Sequence, residues 1–174
     1  EIHKYGRSYH VNLIAQNRVG LKNLFKIVSL ANTKYLYKTP RILRSEIEAH
    51  REGLLVGSGC YLSEVFVEAR SKSEEELTNI INFYDYVEVQ PIDCYSHLID
   101  MSDFANNLEI VENLKKIINT TKAAGKLIVA TGDVHHIAKE DKIYREIIVN
   151  QKVPGGGRHP LNRPGVKIPS QHFR

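Results

Sequence analysis

The 174 residues include no Trp, one Met (Met101) and only two Cys (Cys60 and Cys94). Two thiols in a chain without a leader pattern make no disulfide framework, so they are expected as free thiols, inert or metal-binding. No apolar run approaches the roughly 20 residues of a membrane span, and no signal-peptide pattern is visible. A cytoplasmic chain with no membrane partner is therefore expected. A Gly-x-Gly-x-x-Gly fingerprint, a Gly-Lys-Ser/Thr phosphate loop and a Ser/His/Asp grouping are all missing. That leaves no support for dinucleotide binding, P-loop chemistry or a serine nucleophile. Charge is nearly balanced, with 24 basic and 20 acidic residues and a net charge of +4. The excess is compatible with a nucleic-acid partner but does not argue for one, because the lysines are spread over helix faces. An initiating Met is also lacking, and the chain stops at Phe173-Arg174 without a cap or stop signal. A piece cut from a longer protein is expected.

What is present alternates between two periods. Residues 9–16 alternate with Val11, Leu13 and Ala15 on one face, as a strand does. Asn17 can cap a helix in which Leu21, Leu24, Phe25, Val28 and Ala31 recur at helical spacing. Thr39-Pro40 breaks the chain, a short helix covers about 45–51, and Leu54-Leu55-Val56 reads as a buried strand. Residues 61–69 look helical. Ser73 and Glu76 form a capping box for a helix with Leu77, Ile80 and Ile81 on its apolar face. Strands follow at 86–90 and 127–131, the latter expected to be fully buried. Between them runs the longest helix, 107–124, with Leu108, Val111, Leu114, Ile118 and Thr121 on its apolar face. A last helix covers 140–150, and 153–174 reads as linker. Strands alternating with helices predict an α/β fold with a parallel sheet. Four strands are too few to close a barrel, so a β/α barrel would need strands from elsewhere.

In parallel β/α folds, functional side chains gather just past the carboxyl ends of the strands. Gly132-Asp133-Val134-His135-His136 follows the strand at 127–131. Gly57-Ser58-Gly59-Cys60, with Glu64 one turn on, follows 54–56, and Asp93, Cys94 and His97 follow 86–90. Asp133-x-His135 is the sharpest of these. Residues i and i+2 of an extended segment point the same way, so a carboxylate and an imidazole can converge on one ion. Mixed oxygen and nitrogen donors suit Zn, Mn or Fe, and a nearby thiolate favours Zn. The plainer reading has Asp133 capping a turn and His135 packed under a loop. Cys60 is equally readable as a small buried hydrophobe, Glu64 as a solvated helix residue, and Asp93 and His97 as surface loop residues. His136 is read as structural. Gly155-Gly156-Gly157-Arg158 has the amides to cradle a phosphate, but no strand precedes it, and a linker is favoured.

Several ordered blocks resemble one family. His10-Val11-Asn12-Leu13-Ile14-Ala15-Gln16-Asn17 with Gly20-Leu21-Lys22-Asn23-Leu24, then Glu52-Gly53-Leu54-Leu55-Val56-Gly57-Ser58-Gly59-Cys60 with Glu64, then Ala130-Thr131-Gly132-Asp133-Val134-His135-His136, are similar to the PHP (polymerase and histidinol phosphatase) domain of bacterial DNA polymerase III alpha subunits. Phe83-Tyr84-Asp85-Tyr86-Val87-Glu88-Val89-Gln90-Pro91 and His159-Pro160-Leu161-Asn162-Arg163 resemble the PolC branch in particular. The resemblance spans nearly the whole chain.

That resemblance implies a distorted, TIM-like β/α barrel with a metal cluster at the strand ends, present here in part. In PolC the proofreading exonuclease is inserted within the domain. This chain resembles the portion after the insertion (1–152), followed by a linker to the polymerase region (153–174). The early His-x-His motif would lie before the insertion. Asp133 and His135 match the family's Asp-x-His metal pair, and Cys60 and Glu64 fall in the block that supplies a middle ligand. Ser63 stands where the family usually has Gly. The implied cofactor is a divalent metal (Zn, Mn or Mg) at an incomplete site. The implied partners are the rest of the polymerase chain, DNA and other replisome subunits. No polymerase carboxylate cluster is visible, so the chain alone is expected not to synthesise DNA. A purely structural module with vestigial ligands and a free-standing phosphoesterase are the competing readings.

Overall fold

The structure, a computed structural model, describes residues 7–168 and 171–172. Four strands form the main sheet in the order β1 (Asn12–Ala15), β2 (Leu54–Gly57), β3 (Tyr86–Val89) and β4 (Leu127–Ala130). β2, β3 and β4 run parallel, as the alternating pattern requires. β1 does not, because it pairs antiparallel with β2, with Asn12 opposite Gly57 and Ala15 opposite Leu54. The reason is the connection. A crossover that returns the chain to the start of the sheet gives a parallel neighbour. Here α1 (Arg18–Asn32) carries the chain away and α2 (Arg44–Ala49) brings it back, so β2 starts where β1 ended. The expectation of an all-parallel sheet is corrected accordingly. The sheet is open, with β1 and β4 as its edges, and no barrel closes among the described residues.

Local signals set the helix starts. Asn17 accepts the Gly20 amide at 2.9 Å and caps α1. Ser73 and Glu76 form the reciprocal box that opens α4 (Glu74–Ile81). α1 lies against the turn before β2 so closely that a Cβ on Gly20 would stand 1.8 Å from the Gly53 carbonyl oxygen. Only glycine permits that approach. The buried face of α1 is Gly20, Ile27 and Ala31, whereas Leu21, Phe25 and Val28 of the expected stripe are exposed.

The core lies on one side of the sheet. Val56 and Val87 are fully buried beneath α3 (Glu64–Glu68), α4 and α6 (Asn107–Ala123), which contribute Val65, Phe66, Leu77, Ile81, Ile110 and Ile117. Tyr95 stacks on Phe66 at 4.7 Å between ring centroids. The buried face of α6 is Ile110, Asn113, Leu114, Ile117 and Thr121, and Leu108 is exposed, so the apolar stripe is turned from the expected one. Asn113 is satisfied by the Phe66 carbonyl at 3.2 Å. Lys116 donates to the Ala69 carbonyl at 2.8 Å and ties α6 to the end of α3.

The opposite side is mostly uncovered, apart from Tyr86, whose ring lies across Gly57. β4, expected to be buried on both faces, is an edge strand whose Leu127 is 64% exposed. Two elements have no sequence counterpart, α5 (Ser96–Asp100) after β3 and a small parallel sheet of β5 (Val134–His136) and β6 (Gln171–His172). α7 (Lys142–Asn150) ends the helical part. No described helix is long and apolar enough to cross a membrane. The glycine loop closes on itself, with the Gly156 amide donating to the Val153 carbonyl at 3.0 Å, so that amide is not free to cradle a phosphate.

Candidate functional site

Because β2, β3 and β4 are parallel, the segments after them share one rim. Cys60 follows β2. Cys94, Tyr95 and His97 follow β3, on a 3-10 turn (Ile92–Tyr95) and α5. Asp133 and His135 follow β4. The Cys94 thiol points to the Gly132 carbonyl at 3.6 Å and links the last two segments.

Asp133 and His135 come together. Asp133 Oδ2 is 3.9 Å from His135 Nδ1, and each side chain keeps 28% of its exposure. They do not meet through simple strand alternation. Asp133 has φ 47 and sits before β5 in the left-handed region, which Asp tolerates better than most residues. His135 then points outward from β5, beside the carboxylate. His136 turns away and bonds the Ala138 carbonyl at 2.7 Å, as its structural reading requires.

Asp133 is the shared negative centre of the rim. Its charge adds to burial in pushing up the Cys60 thiol and the Tyr61 and Tyr95 hydroxyls. Burial is the larger cause in each case and keeps Cys60 a neutral thiol at neutral pH. The nearest described partner of Cys60 is His10 Nδ1 at 3.5 Å. Sequence reasoning did not single out His10 as a site residue. Its bridge to Ser63 places it beside the Cys60 segment.

Glu64 leaves this group. It stands in the first turn of α3, which Ser63 caps, forms an ion pair with Arg44 and accepts the Tyr84 hydroxyl at 3.2 Å. His97 was expected on a surface loop, yet it is 4% exposed. It packs edge-on to Tyr61 at 4.5 Å, and neither ring nitrogen has a partner at hydrogen-bond geometry. Burial holds its pKa below the ordinary value, against the smaller pull of the Cys94 backbone and Asp133. Its apolar neighbours Tyr95 and Leu98 were the signal that could have placed it inside. Asp93 is exposed, as expected.

A closed zinc site takes four donors. Among the described residues no three His, Cys, Asp or Glu side chains are grouped to hold an ion. Asp133 and His135 fit two positions of a donor set, Cys60 with His10 forms a separate pair, and Glu64 is occupied by Arg44. The described residues do not make a complete metal site.

The DNA polymerase III PolC-type of Bacillus subtilis (strain 168) is 46% identical over 168 residues, which cover 97% of this chain and 11% of that protein. The PolC-type polymerase of Halalkalibacterium halodurans is 44% identical over the same share. That of Listeria welshimeri is 40% identical over all of this chain and 12% of its own length. The chain thus spans about a tenth of the curated relatives it matches. A family profile, the PHP domain, matches residues 1–91, from before β1 to just past β3. On that match and the parallel strands with their shared rim, the chain belongs to the PHP domain family.

Proposed function

We propose that this chain is part of the PHP module of a PolC-type DNA polymerase III, and that it supplies one side of a divalent-metal site completed by residues outside it. The observation that carries the metal reading is the Asp133–His135 pair, 3.9 Å apart on the rim where the parallel strands end. The identity to PolC-type polymerases along nearly the whole chain supports the parent. In this reading 1–152 is the later portion of the module and 153–174 leads toward the polymerase region. Asp133 and His135 are the ligands on this side, with Cys60 or Glu64 as a third donor. Zn, Mn or Mg would be held there, mainly to fix the module's shape. The partners are the rest of the polymerase chain, DNA in the parent enzyme and other replisome subunits, in the cytoplasm.

A second reading has one observation in its favour. Glu64 is neutralised by Arg44, so the middle ligand block is already satisfied without a metal. The module would then be structural, with vestigial ligands. An anomalous-scattering scan on crystals of a longer chain that includes the preceding segment decides between them. A metal peak bonded to Asp133 and His135 supports the first reading, and its absence after soaking with Zn and Mn supports the second. Primer extension by the chain alone is expected to remain at background, since nucleotidyl transfer needs a carboxylate clamp for two metals. Incorporation by the pure chain would contradict the assignment.

A further inference from the structure

Charge is unevenly placed along the chain. Residues 2–45 hold nine Lys and Arg and no Asp or Glu, so the remainder is net acidic although the whole carries +4. α1 lies inside that basic stretch and contains no acidic residue. Arg18, Lys22 and Lys26 recur every four residues and form one row along the helix. Leu21, Phe25 and Val28 form the row beside it, at 44%, 63% and 49% exposure. The opposite face of α1, with Ile27 and Ala31, is the one buried in the domain. An open groove of about 690 Å³ runs along the exposed rows, with His50 on its wall.

The cations of this face are not neutralised from within. Arg18, Lys22 and Lys26 have no ion pair among the described residues. Like charges four residues apart on a helix repel one another, so the row costs stability in the isolated chain. Arg18 also stands in the first turn of α1, where the helix dipole disfavours a cation and favours an anion. The apolar row beside it is as open to solvent, and Phe25 is its most exposed member. Unpaired cations and uncovered hydrophobes therefore share one helix face, and one acidic, apolar occupant would relieve both.

We infer that the outer face of α1 docks an acidic amphipathic helix of a partner protein, with carboxylates along Arg18, Lys22 and Lys26 and apolar side chains on Leu21, Phe25 and Val28. A helix laid in a groove presents anchors at three- and four-residue spacing, which is the spacing of this apolar row. Its negative flank complements the cation row and sets its orientation. A nucleic-acid strand would use the cations but would leave Leu21 and Val28 uncovered, since neither has a ring on which a base can stack. A lipid surface takes up a wide apolar helix face, whereas Ile27 and Ala31 of α1 are turned into the domain. A second copy of the same face would set cation against cation. The inference uses neither Asp133 nor His135, so it stands or falls apart from the metal reading.

Fluorescence anisotropy with the full 174-residue chain tests it. The probe is a labelled helical peptide of about 18 residues, with Leu along one face, Glu along its flank and Ala elsewhere. Binding is expected, and it should weaken as salt rises from about 50 to 200 mM. Phe25→Ala and Lys22→Glu should each weaken it about tenfold. Lys115→Glu, the same charge change on the exposed side of α6, should leave it within about twofold. The Lys22→Glu, Lys26→Glu double variant should prefer a peptide with Lys in place of every Glu. Circular dichroism checks folding, and Leu21→Ala replaces Phe25→Ala if that variant does not fold. No binding of the acidic peptide at low salt would overturn the inference. So would equal losses for Lys115→Glu and Lys22→Glu, indifference to Phe25→Ala, or binding of oligothymidylate or phosphatidylserine vesicles as tight as that of the peptide. Loss of peptide binding in a longer chain with the flanking segments would also overturn it, because those segments would then be the cover of α1.

Discussion

On one side of the sheet Val56 and Val87 lie under α3, α4 and α6 at 0% exposure, while on the other Ile14 keeps 49% and Leu127 keeps 64%. The same strands make both sides, since successive residues of a strand face opposite ways. The helix side forms a dry core with satisfied polar groups such as Asn113. The open side carries the exposed Ile14 and Leu127, with Tyr86 the buried exception. The rim with Asp133 and His135 stands at the end of that open sheet.

Truncating the covered side should cost most. Leu77→Ala, at a fully buried position on α4, is expected to lose about 3 kcal/mol in denaturant unfolding. Leu127→Ala on the open side should lose less than about 0.5 kcal/mol. Equal losses would erase the distinction between the two faces. Gly20→Ala forces α1 away from the Gly53 carbonyl and should cost about 2 kcal/mol by the same assay, with β1 and β2 the strands disturbed. A neutral effect would mean that the close approach is not maintained in solution. Ser73→Ala removes an exposed cap, and about 1 kcal/mol is expected.

The smallest effect is on pH dependence. Burial depresses the His97 pKa in the folded state below its ordinary value of 6.5. The unfolded chain therefore binds the proton first as pH falls, and stability from this residue is lost below about pH 6.5 until the folded value is passed. Asp133 and Asp100 soften the effect and Arg163 adds to it. Unfolding measured from pH 8 to 5 should show a loss that His97→Phe removes. An identical pH profile in that variant would contradict the buried, neutral His97.

Much of this contrast was legible in the sequence where the cause is local. The Asn17 cap and the Ser73–Glu76 box depend on residues three apart, and both form. The parallel trio β2, β3 and β4 follows from strands alternating with helical crossovers, and the shared rim follows from that trio. The direction of β1 was not legible, because no local pattern marks α2 as a return leg. Residues 127–131 were read as a fully buried strand because Leu127-Ile128-Val129-Ala130 is apolar throughout, yet that run records a need for cover, not its presence. The stripes of α1 and α6 were turned, because apolar residues on both flanks of a helix leave the inward direction to tertiary packing. At the rim, Asp133 and His135 were found by spacing, although their approach comes from a left-handed Asp133 and not from strand alternation. Cys60 was placed without its His10 neighbour, since 50 residues separate them in sequence. Arg44 is likewise distant from Glu64, so the ion pair that occupies that carboxylate had no local signal.

The central claim is that Asp133 and His135 are one side of a metal site finished by residues outside this chain. Calorimetric titration with Zn and Mn tests it most directly, comparing the 174-residue chain with a longer one that restores the preceding segment, each beside its His135→Ala variant. Metal binding would then be folding energy in the longer chain alone. Weak or no binding by the short chain is expected, with far tighter binding by the longer one and loss of that binding in His135→Ala. Equal affinity in the two chains, or no effect of His135→Ala in the longer, would contradict it.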